Sequence, residues 1–183
     1  MSFLVLPIIG FTLSSAFEQK LARAIKNELS AYSYAILAVA EVENNKLLMP
    51  EQLMENQFNV IESGLYAGIT ELDLLDSPLE HQHKPSYLWQ SYSLFSLNPP
   101  VILPKPLVGQ SKFSEIILGG TKHFSFSLSV SFSTGINLEQ IELSHNEHSS
   151  NELSNNISPE FPVTIHIIKD LRDFEDVRTA RGF

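Results

Sequence analysis

Between Lys122 and Thr134 apolar and hydroxyl side chains alternate without a break. Phe124, Phe126, Leu128, Val130 and Phe132 interleave with Ser125, Ser127, Ser129, Ser131 and Ser133. A β-strand, with its two-residue period, sends those sets to opposite faces, one phenyl-rich and one of hydroxyls. The run exceeds the usual strand of about 5–6 residues. Phe113 to Leu118 precedes it as a second strand, with Gly119-Gly120 as the turn between them. A two-residue loop would set Glu115 on the phenyl face, whereas an odd loop with a glycine bulge sets Ile116 and Leu118 there. The cost of burying an unpaired carboxylate predicts the bulge. Phe161, Val163, Ile165 and Ile167 alternate again and are expected to pair antiparallel with the Phe/Ser strand.

The first half reads as helical. Ser15-Ala16-Phe17-Glu18 has capping-box spacing, and Phe17, Leu21, Ile25, Leu29, Tyr32, Ile36 and Val39 recur every three or four residues. Glu43-Asn44-Asn45 is expected to end that helix. A second helix is predicted from Pro50, with Met54, Phe58, Ile61, Leu65, Ile69 and Leu72 as its stripe. Gly64 and Gly68 lie one turn apart on it and predict close packing against Ala31, Ala35 and Ala38. Upstream, Phe3 to Phe17 has a signal-like apolar run. No Lys or Arg precedes it, and Pro7 and Gly10 interrupt it, so a buried N-terminal strand is expected there.

Six prolines from Pro78 to Pro106 preclude a long helix, and Tyr92 to Leu97 is expected as a short strand. Residues 137–159 are rich in Ser, Asn and Glu and form a polar excursion between two strands. Lys169 to Arg181 reads as a short charged helix carrying Leu171, Phe174 and Val177. The expected fold is therefore α+β: an N-terminal antiparallel helical hairpin packed on a small, mainly antiparallel sheet, with a short C-terminal helix. Residues 1–76 supply the hairpin and its apolar lead, 77–110 a wrapping connection and 111–183 the β-rich half, all in one globular unit.

The chain has 183 residues, 12 basic against 21 acidic side chains and a net charge of −9, which argues against nucleic acid as a partner. There is no cysteine, so thiolate metal sites, disulfides and cysteine nucleophiles are excluded. His145, Glu147 and His148 in the excursion are the metal candidates, with His81 and His83 as a weaker pair. A Ser/Asn-rich loop offers them no rigid scaffold, and solvated side chains are the expected reading. His166 shares a face with Thr164 and is expected in solvent. No catalytic signature or cofactor fingerprint is present, so no catalytic residue and no cofactor are assigned.

The function expected from these features is that of a non-enzymatic structural or protein-protein interaction subunit. It would be cytoplasmic, associating with a protein partner or with itself through sheet edges and the 137–159 excursion. Ser125, Ser127, Ser129, Ser131 and Ser133 are expected to form a wet interaction face. One alternative is a membrane-active β-hairpin pore subunit, with phenyl rings toward lipid and hydroxyls toward a lumen. Another is an enzyme whose site leaves no local motif.

Overall fold

The computed structural model describes residues 5–72, 87–97, 103–133 and 160–172. One α-helix, α1 (Val5–Val39), is followed by a hairpin of β1 (Glu41–Glu43) and β2 (Lys46–Leu48). Then come β3 (Leu65–Glu71), β4 (Tyr87–Gln90), β5 (Ser111–Leu118), β6 (Thr121–Ser133) and β7 (Glu160–Asp170). The last five form one sheet in the order β4-β3-β7-β6-β5, with every neighbouring pair antiparallel.

The helical hairpin expected from the sequence is not formed. Residues 50–72 give a single 3₁₀ turn at Asn56–Asn59 and then β3. Their apolar spacing suits a helix, but periodicity alone cannot separate a helix from a strand buried on both faces. From Leu65 to Thr70 every residue is buried. Tyr, Ile and Thr favour a strand there, and two glycines would each cost a helix up to about 1 kcal/mol. Gly64 has φ of +84°, which a helix does not admit. Asn44 and Asn45 do adopt the left-handed conformation, at φ 51° and 59°, but as the two-residue turn between β1 and β2.

α1 also begins earlier than expected. Ser15 to Glu18 lie inside it, and the segment expected as an N-terminal strand is helical from Val5. Pro7 is tolerated because it falls in the first turn, where backbone N–H groups have no partner within the helix. Tyr92–Ser96, expected as a strand, is a 3₁₀ turn. Lys169 and Asp170, expected to open a C-terminal helix, end β7 instead. Residues 173–183, 73–86 and the excursion at 137–159 lie outside the described residues, and with them the histidine-containing metal candidates. Among the described residues, no helix is long and apolar enough to cross a membrane.

Two layers cover the sheet. On one face Ile25, Leu29 and Ile36 of α1 form a core cluster with Ala67 and Ile69 of β3, Phe124, Phe126 and Leu128 of β6, and Val163, Ile165 and Ile167 of β7. On the other face Leu94 of the 3₁₀ turn and Leu103 pack with Tyr66, Leu118 and Ile168, and Tyr87 and Leu97 lie against them.

The β5–β6 hairpin turns in two residues, with Leu118 opposite Thr121 and both glycines at positive φ (55° and 82°). This corrects the bulge expected there. Glu115 does stand opposite Phe124 on the phenyl face, yet it is exposed, because α1 packs chiefly over β6 and β7 and not over the edge strand β5. A glycine bulge occurs at the other end of β5. Gly109 (φ 79°) donates its N–H to Ser129 O at 2.8 Å, and Ser129 N–H donates to Gln110 O at 3.1 Å.

Candidate functional site

Cross-strand register sets the polar side chains of the second face in rows. Gly68, His166, Ser127 and Lys112 stand side by side across β3, β7, β6 and β5. The neighbouring rows hold Thr70, Thr164 and Ser129, and Tyr66, Ile168, Ser125 and Ser114. Because β6 places serine at every second position, each row receives one hydroxyl from β6.

These hydroxyls are not a wet face. Ser125, Ser127 and Ser129 are fully buried, while Ser131 is half-buried and Ser133 is exposed. Each buried one has a partner. Ser125 Oγ lies 2.9 Å from Ser114 Oγ, and Ser129 Oγ lies 2.9 Å from Thr164 Oγ1. Ser127 Oγ lies 2.9 Å from His166 Nδ1, whose Nε2 is in turn 2.9 Å from Thr70 Oγ1. Ser131 Oγ reaches Glu160 Oε2 at 3.3 Å. His166 shares its face with Thr164 as expected, but it is buried between two hydroxyls and not in solvent.

A neutral imidazole has one donor and one acceptor nitrogen, and a hydroxyl can take either role. Ser127 and Thr70 therefore satisfy His166 in either tautomer. Burial, with a smaller contribution from the nearby Lys105 ammonium, holds its pKa down at about 3. The Ser127–His166 spacing is that of a nucleophile and its base. Here the pair is sealed over. Tyr87 packs so close to Gly68 that a Cβ there would fall 2.7 Å from its ring, and Leu94 lies beside it. The hydroxyl chain acts as polar packing, supplying each buried group with a partner it would otherwise lack.

A second polar cluster lies at the end of the sheet. His123 Nδ1 is 3.1 Å from Thr121 O, a contact in which only the nitrogen can donate. Its Nε2 is buried with no hydrogen-bond partner, 3.8 Å from Asp170 Oδ2. Asp170 is held from the other side by Arg172, through its side-chain Nε and its backbone N–H. Among the described residues no group of three or more metal-ligating side chains comes together.

The remaining candidate is the outer edge of β5. In an antiparallel ladder the pair flanking a two-residue turn exchanges hydrogen bonds, and such pairs then alternate. Leu118, Ile116, Ser114 and Lys112 therefore bond to β6, while Ile117, Glu115, Phe113 and Ser111 turn their peptide groups outward. The bonds of Ser129 to Gly109 and Gln110 fix the same parity from the other strand. Ile117 is 71% exposed beside this edge, and Phe113 stacks on Phe124 with centroids 5.0 Å apart. β4, at the opposite edge, has four residues and a register shift between Ile69 and Thr70 against it.

His123, Asp170, Thr70, Ser91 and Ser93 escape a reading of the sequence by motif. Ser91 Oγ accepts from Ala67 N–H at 2.9 Å, and Ser93 Oγ donates to Leu65 O at 2.8 Å. A signal for His123 does exist in the sequence: it is in phase with the serines of β6. Comparisons with family models, curated proteins and solved structures give no match for this chain.

Proposed function

We propose that this protein is a non-enzymatic interaction subunit of a larger assembly, and that its contact surface includes the open edge of β5. One observation carries the reading: among the described residues, β5 offers alternate peptide groups with no strand partner over eight residues, with no proline and no bulge between Ser111 and Leu118. Such an edge is a template for a further strand. The polar face of the sheet favours this reading over a catalytic one, because Ser127 and His166 are closed to substrate. The phenyl face favours it over a membrane hairpin, because Phe124, Phe126 and Leu128 lie under α1. Only Ser131 and Ser133 of the serine series stand where a partner can touch them. The excursion at 137–159 and a cytoplasmic location belong to the proposal on sequence grounds alone.

The test is Glu115→Pro, which removes a peptide N–H that β6 does not use. Native full-length chain should run in cell extract in a particle larger than the monomer. The variant should run as the monomer with an unchanged far-ultraviolet circular dichroism spectrum. A folded variant that stays in the same particle would overturn the β5 edge as its contact.

A further inference from the structure

We infer that, if the chain is an interaction subunit acting through β5, the partner strand is the β5 of a second copy, antiparallel about a two-fold axis at Ser114. The reasoning begins with parity. Outward peptide groups belong to the odd-numbered residues Ser111, Phe113, Glu115 and Ile117, so a copy can bond only where odd residues meet odd residues.

Three registers then overlap most of the strand. An axis through residue 115 sets Glu115 directly against its own copy, and like charges opposed across a strand pair are destabilising. With an axis through residue 113, Ile117 faces residue 109, which is Gly109 of the bulge, and the overlap shortens. An axis through residue 114 avoids both. It pairs Ser111 to Ile117 of each copy along their full length, with Phe113 opposite Glu115 and Lys112 opposite Ile116.

The polar row supports the same register. Ser114 is the last hydroxyl of the row that runs Ser125 to Ser114 and reaches the edge there. The axis sets Ser114 against Ser114 of the copy, and facing serines are a favourable cross-strand pair. On the other face half-buried Phe113 stands opposite Glu115 of the copy and diagonal to its Phe113 and its exposed Ile117. A single sheet then runs through both protomers, with both β5 edges paired and β4 at each outer end.

The chain has no cysteine, which makes the register directly readable. Ser114 would form a non-hydrogen-bonded pair across the axis, with Cα atoms about 4.5 Å apart, inside the disulfide range of about 4.4–6.8 Å. Purified protein should have about twice the 20.5 kDa mass of one chain, in a concentration-dependent way. The dimer should strengthen as salt screens the charge of −9 on each copy. Under mild oxidation Ser114→Cys should give a covalent dimer, and Phe113→Cys and Glu115→Cys should not. Glu115→Pro should be monomeric and folded; if it unfolds, the cysteine series carries the test alone.

Covalent dimers through position 113 or 115, or a dimer that persists in folded Glu115→Pro, would overturn the register. Purified chain that stays monomeric and gives no covalent dimer would overturn the second copy as partner. Slow amide exchange at Phe113 and Glu115 in such a monomer would assign the edge to a strand of the same chain. If the cellular particle nevertheless depends on Glu115, the interaction reading stands and only the identity of its partner fails.

Discussion

His166 sits at the centre of the sheet with a hydroxyl on each ring nitrogen, and its folded-state pKa of about 3 lies well below the ordinary 6.5. The unfolded chain therefore binds a proton between those values that the folded chain refuses. Stability contributed by the neutral ring is complete above pH 6.5 and is lost as pH falls toward 3. A denaturant series from pH 7 to pH 5 should show a loss of about 2 kcal/mol, which His166→Gln should largely remove. An imidazole that takes up its proton near pH 6.5 in the folded state would contradict the assignment. Ser127→Ala leaves Nδ1 without its partner in a site closed to water. It should lower the denaturant midpoint by the equivalent of about 1–3 kcal/mol at unchanged slope. A wet serine face, as the sequence suggests, would make the same substitution nearly silent. Alternation determines which residues share a face, and says nothing of what lies over that face.

The contrast between β6 and β3 shows what alternation can carry at the level of an element. Ten residues of strict apolar/Ser alternation in β6, Phe124 to Ser133, fit no helix, so its two faces are legible from the residue order alone. In β3 both faces are apolar or small, Leu65 to Thr70 has no contrast between them, and the spacing of Leu65, Ile69 and Leu72 matches a helical stripe. Gly68 does not pack on the backbone of α1 as expected; it lies in a strand, and its close neighbour is the aromatic ring of Tyr87. Gly68→Ala would push a methyl to 2.7 Å and 2.9 Å from two atoms of the Tyr87 ring. We expect a loss of about 1–3 kcal/mol in thermal or denaturant unfolding. Tyr87→Leu should relieve part of it, so the double variant should be less destabilised than the sum of the singles. Strict additivity would mean that ring and glycine do not meet. The turn after β5 departs from expectation for a related reason: burial of Glu115 follows only if helices cover the whole sheet, and α1 covers only part.

For the whole molecule, the order β4-β3-β7-β6-β5 places the last strand between the third and the sixth, so the fold closes only when β7 arrives. β7 brings Val163, Ile165 and Ile167 to the helical layer and Thr164 and His166 to the polar one. Its pairing with β6 runs in register from His123 opposite Asp170 to Ser133 opposite Glu160. The ends of the intervening segment are thus neighbouring positions on paired strands, about 5 Å apart. A chain of any moderate length can join them, and shortening a loop changes its closure entropy by only about 0.6 kcal/mol per halving. Replacing residues 138–157 by a short glycine-serine linker should therefore leave the melting temperature within a few degrees of the parent. The same protein should keep the pH dependence set by His166, because β6 and β7 still hold Ser127 beside the ring. A fall in melting temperature of about ten degrees or more, equivalent to at least about 2 kcal/mol, would show that Ile141, Leu143 or Leu153 contributes to the core. An unchanged melt with loss of the cellular particle, in a chain that still dimerises when purified, would assign the excursion a contact of its own, separate from the β5 edge.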